Sequence, residues 1–260
     1  VAVSACARSL ILLGDPQQLE QPTQGSHPDG TDCSALDHLL EGHQTISDDQ
    51  GLFLGVTYRL HPEICRFNSE LFYEGKLSAI PKAAKHEIKS EGSLSGTGLR
   101  FVPVEHSGNT SSSTEEADEV FRIVNEILNS NTTWIDGEGC EQEVTLADIL
   151  IIAPYNAQVF EIHQRLPDAR VGTVDKFQGQ EAPITIFSMA TSSHADAPRG
   201  MEFLYSPNRL NVAISRAKCL AVLVASPAVF EADCKTPGQM KLANAFCRFL
   251  ELAENVQPTR

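Results

Sequence analysis

The second half of the chain alternates short apolar runs with amphipathic stretches. Ile149 to Ile152, Val171 to Val174, Ile184 to Met189 and Leu220 to Ala225 are runs of the length that buried strands have. Helical stretches separate or follow them: Asn156 to about Leu166, Tyr205 to Ala217 and Gly238 to Leu252. Strand and helix in turn predict a parallel sheet with crossover helices. The clearest helix comes just before this series. Ser113-Thr-Glu-Glu116 has capping-box spacing, and Ala117, Val120, Phe121, Val124, Ile127 and Leu128 follow at the helical period. Its predicted role is core packing only.

The first half is less regular. Val1 to Ala7 reads as the tail of a preceding helix. Ser9 to Leu13 is a strand candidate that ends on Gly14-Asp-Pro-Gln-Gln-Leu19, where Gly and Asp allow a sharp turn. Gln24 to Asp32 reads as an exposed loop and Ser34 to Leu40 as a short helix. Phe53 to Leu60 leads into Thr57-Tyr-Arg-Leu-His-Pro62, with a helix from about Pro62 to Leu71, since proline is tolerated in a first turn. Lys82 to Gly98 is rich in Lys, Ser and Gly and reads as a mobile surface excursion. Leu99 to Val104 is a strand candidate, and Asn129 to Glu143 a loop or short hairpin.

Composition adds limits. A hydrophobic fraction of 42% and a charged fraction of 21% are ordinary for a soluble globular chain of 260 residues. No apolar run approaches a membrane span, and the start lacks the basic flank of a signal peptide. The chain begins without Met, which argues for a fragment or a processed chain. Its seven cysteines contain no CxxC pair, which speaks against a zinc knuckle or a disulfide framework and fits reduced thiols in a cytoplasmic protein. The histidines lack compact metal-ligand spacing, so no metal site is predicted. A net charge of -14 predicts long-range repulsion from nucleic acid, so any such partner must be argued from motifs.

The densest polar cluster follows an apolar run: Val171-Gly-Thr-Val-Asp-Lys-Phe-Gln-Gly-Gln-Glu181. In α/β folds ligands sit at the carboxyl ends of strands, which points to Thr173 to Glu181. There is no Gly-x4-Gly-Lys-Ser/Thr loop and no acidic pair to hold a nucleotide magnesium. Arginines stand at element ends instead. Arg209 and Arg216 are seven apart and share one line of a helix beside the apolar Leu210, Ala213, Ile214 and Ala217. Their forks suit a γ-phosphate; an ordinary amphipathic helix with solvated arginines is the alternative. Gln17 and Gln18 could orient a water or touch phosphate, or form a polar turn. Arg59 could bind phosphate beside a base stacked on Tyr58, or sit in a salt bridge. Glu181 could accept from a ribose, and Thr173 and Gln178 could contact a nucleic-acid backbone.

Five stretches in fixed order resemble superfamily 1 helicases of the Upf1-like and Dna2-like branch. They are Gly14 to Leu19, Tyr58-Arg-Leu-His-Pro62, Ala153-Pro-Tyr-Asn-Ala-Gln158, Val171 to Glu181, and Asn208-Arg-Leu-Asn-Val-Ala-Ile-Ser-Arg-Ala-Lys218. The wider wording, including Ala190-Thr-Ser-Ser193 and Pro198-Arg-Gly-Met-Glu-Phe-Leu204, is most similar to bacterial proteins joining a RecB-like nuclease region to such a helicase. The resemblance implies an α/β RecA-like parallel-sheet domain of the P-loop NTPase superfamily that lacks its own phosphate loop. Residues 1–50 correspond to the end of a first RecA-like domain with a connecting segment, and 51–260 to the second.

The resemblance also implies an ATP-dependent helicase or translocase as the parent, using ATP with Mg2+ and acting on single-stranded nucleic acid, DNA above all. A first RecA-like domain in cis would supply the phosphate loop. Gln18, Arg59 and Arg216 then match catalytic positions, with Arg216 the arginine finger. Tyr58, Glu181 and Arg209 match the nucleotide side. Thr173, Pro154, Tyr155, Gln158 and Gln178 match the nucleic-acid side. This chain alone is expected to be inactive. A catalytically silent nucleic-acid or protein-binding module of the same fold is the alternative.

Overall fold

The apolar runs become strands that are buried on both faces. A computed structural model describes residues 6–19, 28 and 33–257. In chain order its elements are α1 (Ala35–Leu40), β1 (Val56–Thr57), α2 (Pro62–Phe72), β2 (Ser78–Ala79), β3 (Glu87–Lys89), β4 (Gly98–Pro103), α3 (Thr114–Asn129), β5 (Thr133–Ile135), β6 (Glu141–Glu143), β7 (Ile149–Ala153), α4 (Asn156–Arg165), β8 (Arg170–Thr173), β9 (Ala182–Ser188), α5 (Gly200–Leu204), α6 (Pro207–Ile214), β10 (Ala217–Ala225), α7 (Pro237–Leu252) and β11 (Glu254–Asn255). Six strands pair in parallel in the order β11-β4-β10-β9-β7-β8. The α/β parallel-sheet expectation holds, and the architecture is that of a RecA-like domain.

Alternation along each strand divides the core into two layers. In β10, Leu220, Val222 and Val224 face one layer with Val120, Ile123, Val124 and Ile127 of α3 and Ile162 of α4. Ala221, Leu223 and Ala225 face the other, with Phe67 of α2, Leu210 of α6 and Phe246 and Phe249 of α7. Both faces being covered explains why these strands read as continuous apolar runs rather than alternating ones. Each fully buried aliphatic side chain contributes about 1.5–3 kcal/mol.

Helix α3 begins as its sequence predicts, with the Glu116 amide donating to Ser113 Oγ at 3.1 Å. The return half of the capping box does not form. Glu116 is fully buried and turns inward. Its Oε2 accepts from Ser188 Oγ at 2.6 Å and from the Ala190 amide at 2.9 Å, and its Oε1 lies 2.9 Å from His106 Nε2. His106 Nδ1 in turn meets Ser192 Oγ at 2.7 Å. Helix α3 therefore does more than pack a core: it anchors the segment after β9. Ala190 has φ 68°, a region that disfavours any side chain, and the bond from its amide to Glu116 holds it there.

Other expectations need correction. Lys82 to Gly98 is not a loose excursion. It forms a 3-10 turn at Pro81–Lys85 and β3, which joins β5 and β6 in an antiparallel sheet, with a further bridge between Ile88 and Gly96. Ala83, Ile88 and Leu94 are buried, and the latter two join the layer beneath α3. Three isolated apolar side chains suffice to fix a polar segment. Ser9 to Leu13 forms no strand, and Leu10, Ile11, Leu12 and Leu13 are exposed. The helical tail expected at the start lies mostly, and the loop from Gln24 to Asp32 almost wholly, outside the described residues. Among the described residues no helix is long and apolar enough to cross a membrane.

Candidate functional site

Strands β9 and β10 begin side by side, so the residues just before them share the amino end of the sheet: Glu181 before β9, and Ser215 and Arg216 before β10. Arg59, leading into α2, reaches the same place. An open cleft of 1920 Å³ lies here, lined among others by Gln18, Arg59, Glu181, Arg216 and Lys218. Its other wall is apolar and includes Leu10, Leu12, Leu52 and Leu54.

The charges in the cleft are unevenly matched. Arg59 Nε donates to Glu181 Oε2 at 2.6 Å, and its Nη1 donates to the Ser215 carbonyl at 2.9 Å. Lys218 Nζ holds the other carboxylate oxygen, Oε1, at 2.8 Å. Partial burial pushes the Glu181 carboxyl up, but the bonds from Lys218 and Arg59 outweigh this and hold it below the usual value. Among the described residues Arg216 has no such partner. It is 3% exposed and donates only to neutral oxygens: Val212 O at 3.2 Å, Gln180 O at 3.3 Å and Gln18 Oε1 at 3.2 Å. Burial first, and the like charge of Arg59 second, lower its pKa from the usual arginine value. A buried cation with no counter-ion is costly to keep.

Gln18 is set by a polar network that sequence reading missed. Its Nε2 donates to Asp15 Oδ2 at 2.9 Å, and Tyr73 Oη donates to the same oxygen at 2.7 Å. Burial and then the Asp15 charge raise the Tyr73 phenol, which keeps its proton for that bond. Asn211 Nδ2 donates to the Gln17 carbonyl at 2.8 Å and to Tyr73 Oη at 2.9 Å, while its Oδ1 accepts from Asn68 at 2.7 Å. Asn208 Nδ2 donates to the Pro16 carbonyl at 3.2 Å. Helix α6 thus clamps the backbone of the Gly14 to Leu19 segment. Asn208 and Asn211, three apart in that helix, were the available signal; Tyr73 and Lys218 gave none that stood out. Tyr58 is 75% exposed on the cleft wall. Gln178, expected beside Thr173 on the nucleic-acid side, lines this cleft instead.

The other candidates lie at the opposite end of the sheet. Pro154 and Tyr155 follow β7, and Thr173 closes β8, so all three stand at carboxyl ends. Thr173 is half-buried; Pro154 and Tyr155 are buried. Gln158 is a correction. It is fully buried, accepts from the Ser113 amide at 2.7 Å and donates to Ser188 Oγ at 2.9 Å, so it ties α4 to α3 and β9 and meets no ligand. Arg209 is another. It lies in the first turn of α6, its guanidinium 4.3 Å from the Phe203 ring centre and 3.5 Å from Asp175 Oδ2, and it does not line the cleft. Helix α6 ends at Ile214, so Arg216 lies outside it, in the turn into β10, while Arg209 stands in the first turn. Arg209 and Arg216 therefore serve opposite ends of the sheet.

Known proteins resemble the chain in sequence. The AAA domain family matches residues 31–228. The rat "DNA-binding protein SMUBP-2" is 31% identical over 242 residues, 84% of this chain and 24% of that protein. The "DNA polymerase alpha-associated DNA helicase A" of Schizosaccharomyces pombe is 29% identical over 221 residues, 80% of this chain and 32% of that protein. The "Putative helicase MOV-10" of Gallus gallus is 30% identical over 263 residues, 86% of this chain and 26% of that protein. The chain thus spans about a quarter to a third of the length of these relatives. It belongs to the AAA domain family, as a domain of the superfamily 1 helicase type.

Proposed function

We propose that the chain is the second motor domain of an ATP-dependent helicase or translocase acting on single-stranded DNA. The observation that carries this is Arg216: a buried guanidinium, bonded among the described residues only to neutral oxygens, at the wall of an open cleft. Such a group is built to receive an anion from outside the domain. Bound ATP would supply a γ-phosphate whose transfer to water concentrates charge on oxygens that an arginine fork can hold. The residues fit this group on one side. Arg216 and Arg59 offer cations, Gln18 an amide, and Tyr58 an exposed ring. The phosphate loop and the Mg2+ ligands would come from a first RecA-like domain in cis, and the exposed Leu10 to Leu13 segment is apolar surface for that domain to cover. The similarity to nuclease–helicase fusions extends the reading to a parent that also carries a RecB-like nuclease region.

In this reading Arg59 exchanges Glu181 for a phosphate oxygen when the domains close, and Arg216 reaches the γ-phosphate while Gln18 reports its presence through Asp15. Two rigid connections run from the cleft to the carboxyl end of the sheet. One is α6 with the turn that follows it, from Arg216 back to Arg209. The other is the stretch from Glu181 back to Thr173, which includes a 3-10 turn at Val174–Phe177. Movement at the cleft thereby reaches the face where Thr173 stands. DNA is favoured by the names of the relatives.

The test joins the chain in cis to a RecA-like domain that carries a phosphate loop. ATP hydrolysis stimulated by single strands is expected, with Arg216→Ala lowering kcat about 10³-fold or more. Arg216→Lys should recover little, because an ammonium cannot replace the planar fork. The unjoined chain should turn over no ATP. Arg216-dependent turnover by the chain alone would sink the half-site reading, and full activity of Arg216→Ala in the joined protein would sink the role of Arg216.

A further inference from the structure

The first turn of α6 carries an arrangement that the cleft does not use. Arg209 and Arg199 both stack on Phe203, their guanidinium carbons 4.3 and 3.8 Å from the ring centre. Tyr155 leans on the same ring at 5.3 Å and 37°. Arg199 is exposed and makes no ion pair among the described residues, while Arg209 reaches only Asp175, at 3.5 Å, whose side chain is 64% exposed. A pair of cations so weakly compensated stands out in a chain of net charge -14.

Stacking on an aromatic face orders a guanidinium and leaves its N–H edge free to bind oxygen. The loop that leads to Arg199 is pinned at its start. Thr191 Oγ1 donates to the Thr110 carbonyl at 2.6 Å, the Ser192 amide donates to the Asn109 carbonyl at 2.9 Å, and Ser192 Oγ sits on His106. Both guanidiniums stand on the Phe203 ring, which Tyr155 of the segment after β7 also meets, and Arg209 reaches Asp175 just after β8. Occupied by two guanidiniums and Tyr155, the Phe203 ring has no free face on which a base could stack.

We propose that Arg199 and Arg209, ordered by Phe203, form a docking site for the phosphate backbone of a single-stranded nucleic acid, blind to base identity. This rests on the nucleic-acid reading above and goes beyond it. It moves the backbone contacts away from the buried Pro154 and Gln158 and onto Arg199, which that reading did not include, and Arg209, which it had assigned to the nucleotide. Asp175 is then the opposing charge that a phosphate must displace.

The test is anisotropy titration of the chain with labelled oligothymidylate and oligoadenylate at several salt concentrations. Arg199→Gln and Arg209→Gln should each weaken both probes about tenfold, as expected for loss of a charge-assisted hydrogen bond. Each should also flatten the slope of log K against log salt by about 0.7. Asp175→Asn should tighten binding, which loss of a merely structural contact would not do. If the wild-type chain binds and neither arginine variant changes affinity or slope, this site is overturned while the nucleic-acid reading stands. If the wild-type chain binds neither probe, both fall together. Loss confined to one base would overturn the claim of a backbone contact.

Discussion

Two buried ionic side chains in this domain are treated in opposite ways. Arg216 is left among neutral oxygens at a cleft. Glu116 is fully enclosed and given a partner for each oxygen: Ser188 Oγ and the Ala190 amide on one, His106 Nε2 on the other. An enclosed and saturated carboxylate stabilises a fold; an enclosed and unsaturated guanidinium waits for a ligand. Glu116→Ala should therefore cost about 3 kcal/mol or more, because it strands buried donors as well as deleting the acceptor. The check is urea unfolding, with a lower midpoint at unchanged slope. A loss below about 1 kcal/mol would show that the Ala190 turn holds without it. Nothing in the sequence announced this role. Glu116 sits at the capping-box position, where a local bond to the helix start is the natural expectation, and its actual partner Ser188 is 72 residues away.

At the scale of elements, α6 is the part whose function its sequence only half disclosed. Its period correctly put Leu210, Ala213 and Ile214 in the core, but Arg216 shares no helix face with Arg209, because the helix ends at Ile214. What the helical wheel cannot show is where the helix stops, and that end places the two arginines in different sites. The polar arc was the more informative one, since Asn208 and Asn211 fasten the Gly14 to Leu19 segment. Asn211→Ala removes donors to the Gln17 carbonyl and Tyr73 and the acceptor for Asn68. The expected result is a loss of about 2 kcal/mol and earlier proteolysis within residues 10–19. Unchanged protection of that segment would mean that its apolar residues, not α6, hold it. The main sheet and α2, α3, α4 and α7 were legible because their periods are long and regular. The β3-β5-β6 sheet was legible only as the loop or short hairpin over Asn129 to Glu143 that becomes β5 and β6; β3 was missed, a strand of three residues in a polar segment. Gln158, placed on the nucleic-acid side by resemblance, likewise finds its partners 45 and 30 residues away, where local sequence gives no sign of them.

For the whole molecule, the net charge of -14 and the proposed polyanionic ligands are reconciled by placement. Arg59, Arg216 and Lys218 gather at the amino end of the sheet around Glu181, and Arg199 and Arg209 at the carboxyl end beside Asp175. The cleft also contains an optical gauge of its own state. The chain has one tryptophan, Trp134, which lines the cleft with Lys218 Nζ 5.6 Å from its ring. That ammonium shares Glu181 with Arg59. A polyphosphate that draws Arg59 away leaves Glu181 to Lys218 alone and so changes the charge beside the indole. Saturating tripolyphosphate should shift the emission of the chain, and Glu181→Gln should suppress the shift. Binding seen by calorimetry with no change in emission would mean that Arg59 does not let go. The relay Arg59–Glu181–Lys218–Trp134 would make filling of the cleft visible in unlabelled protein, without a turnover assay.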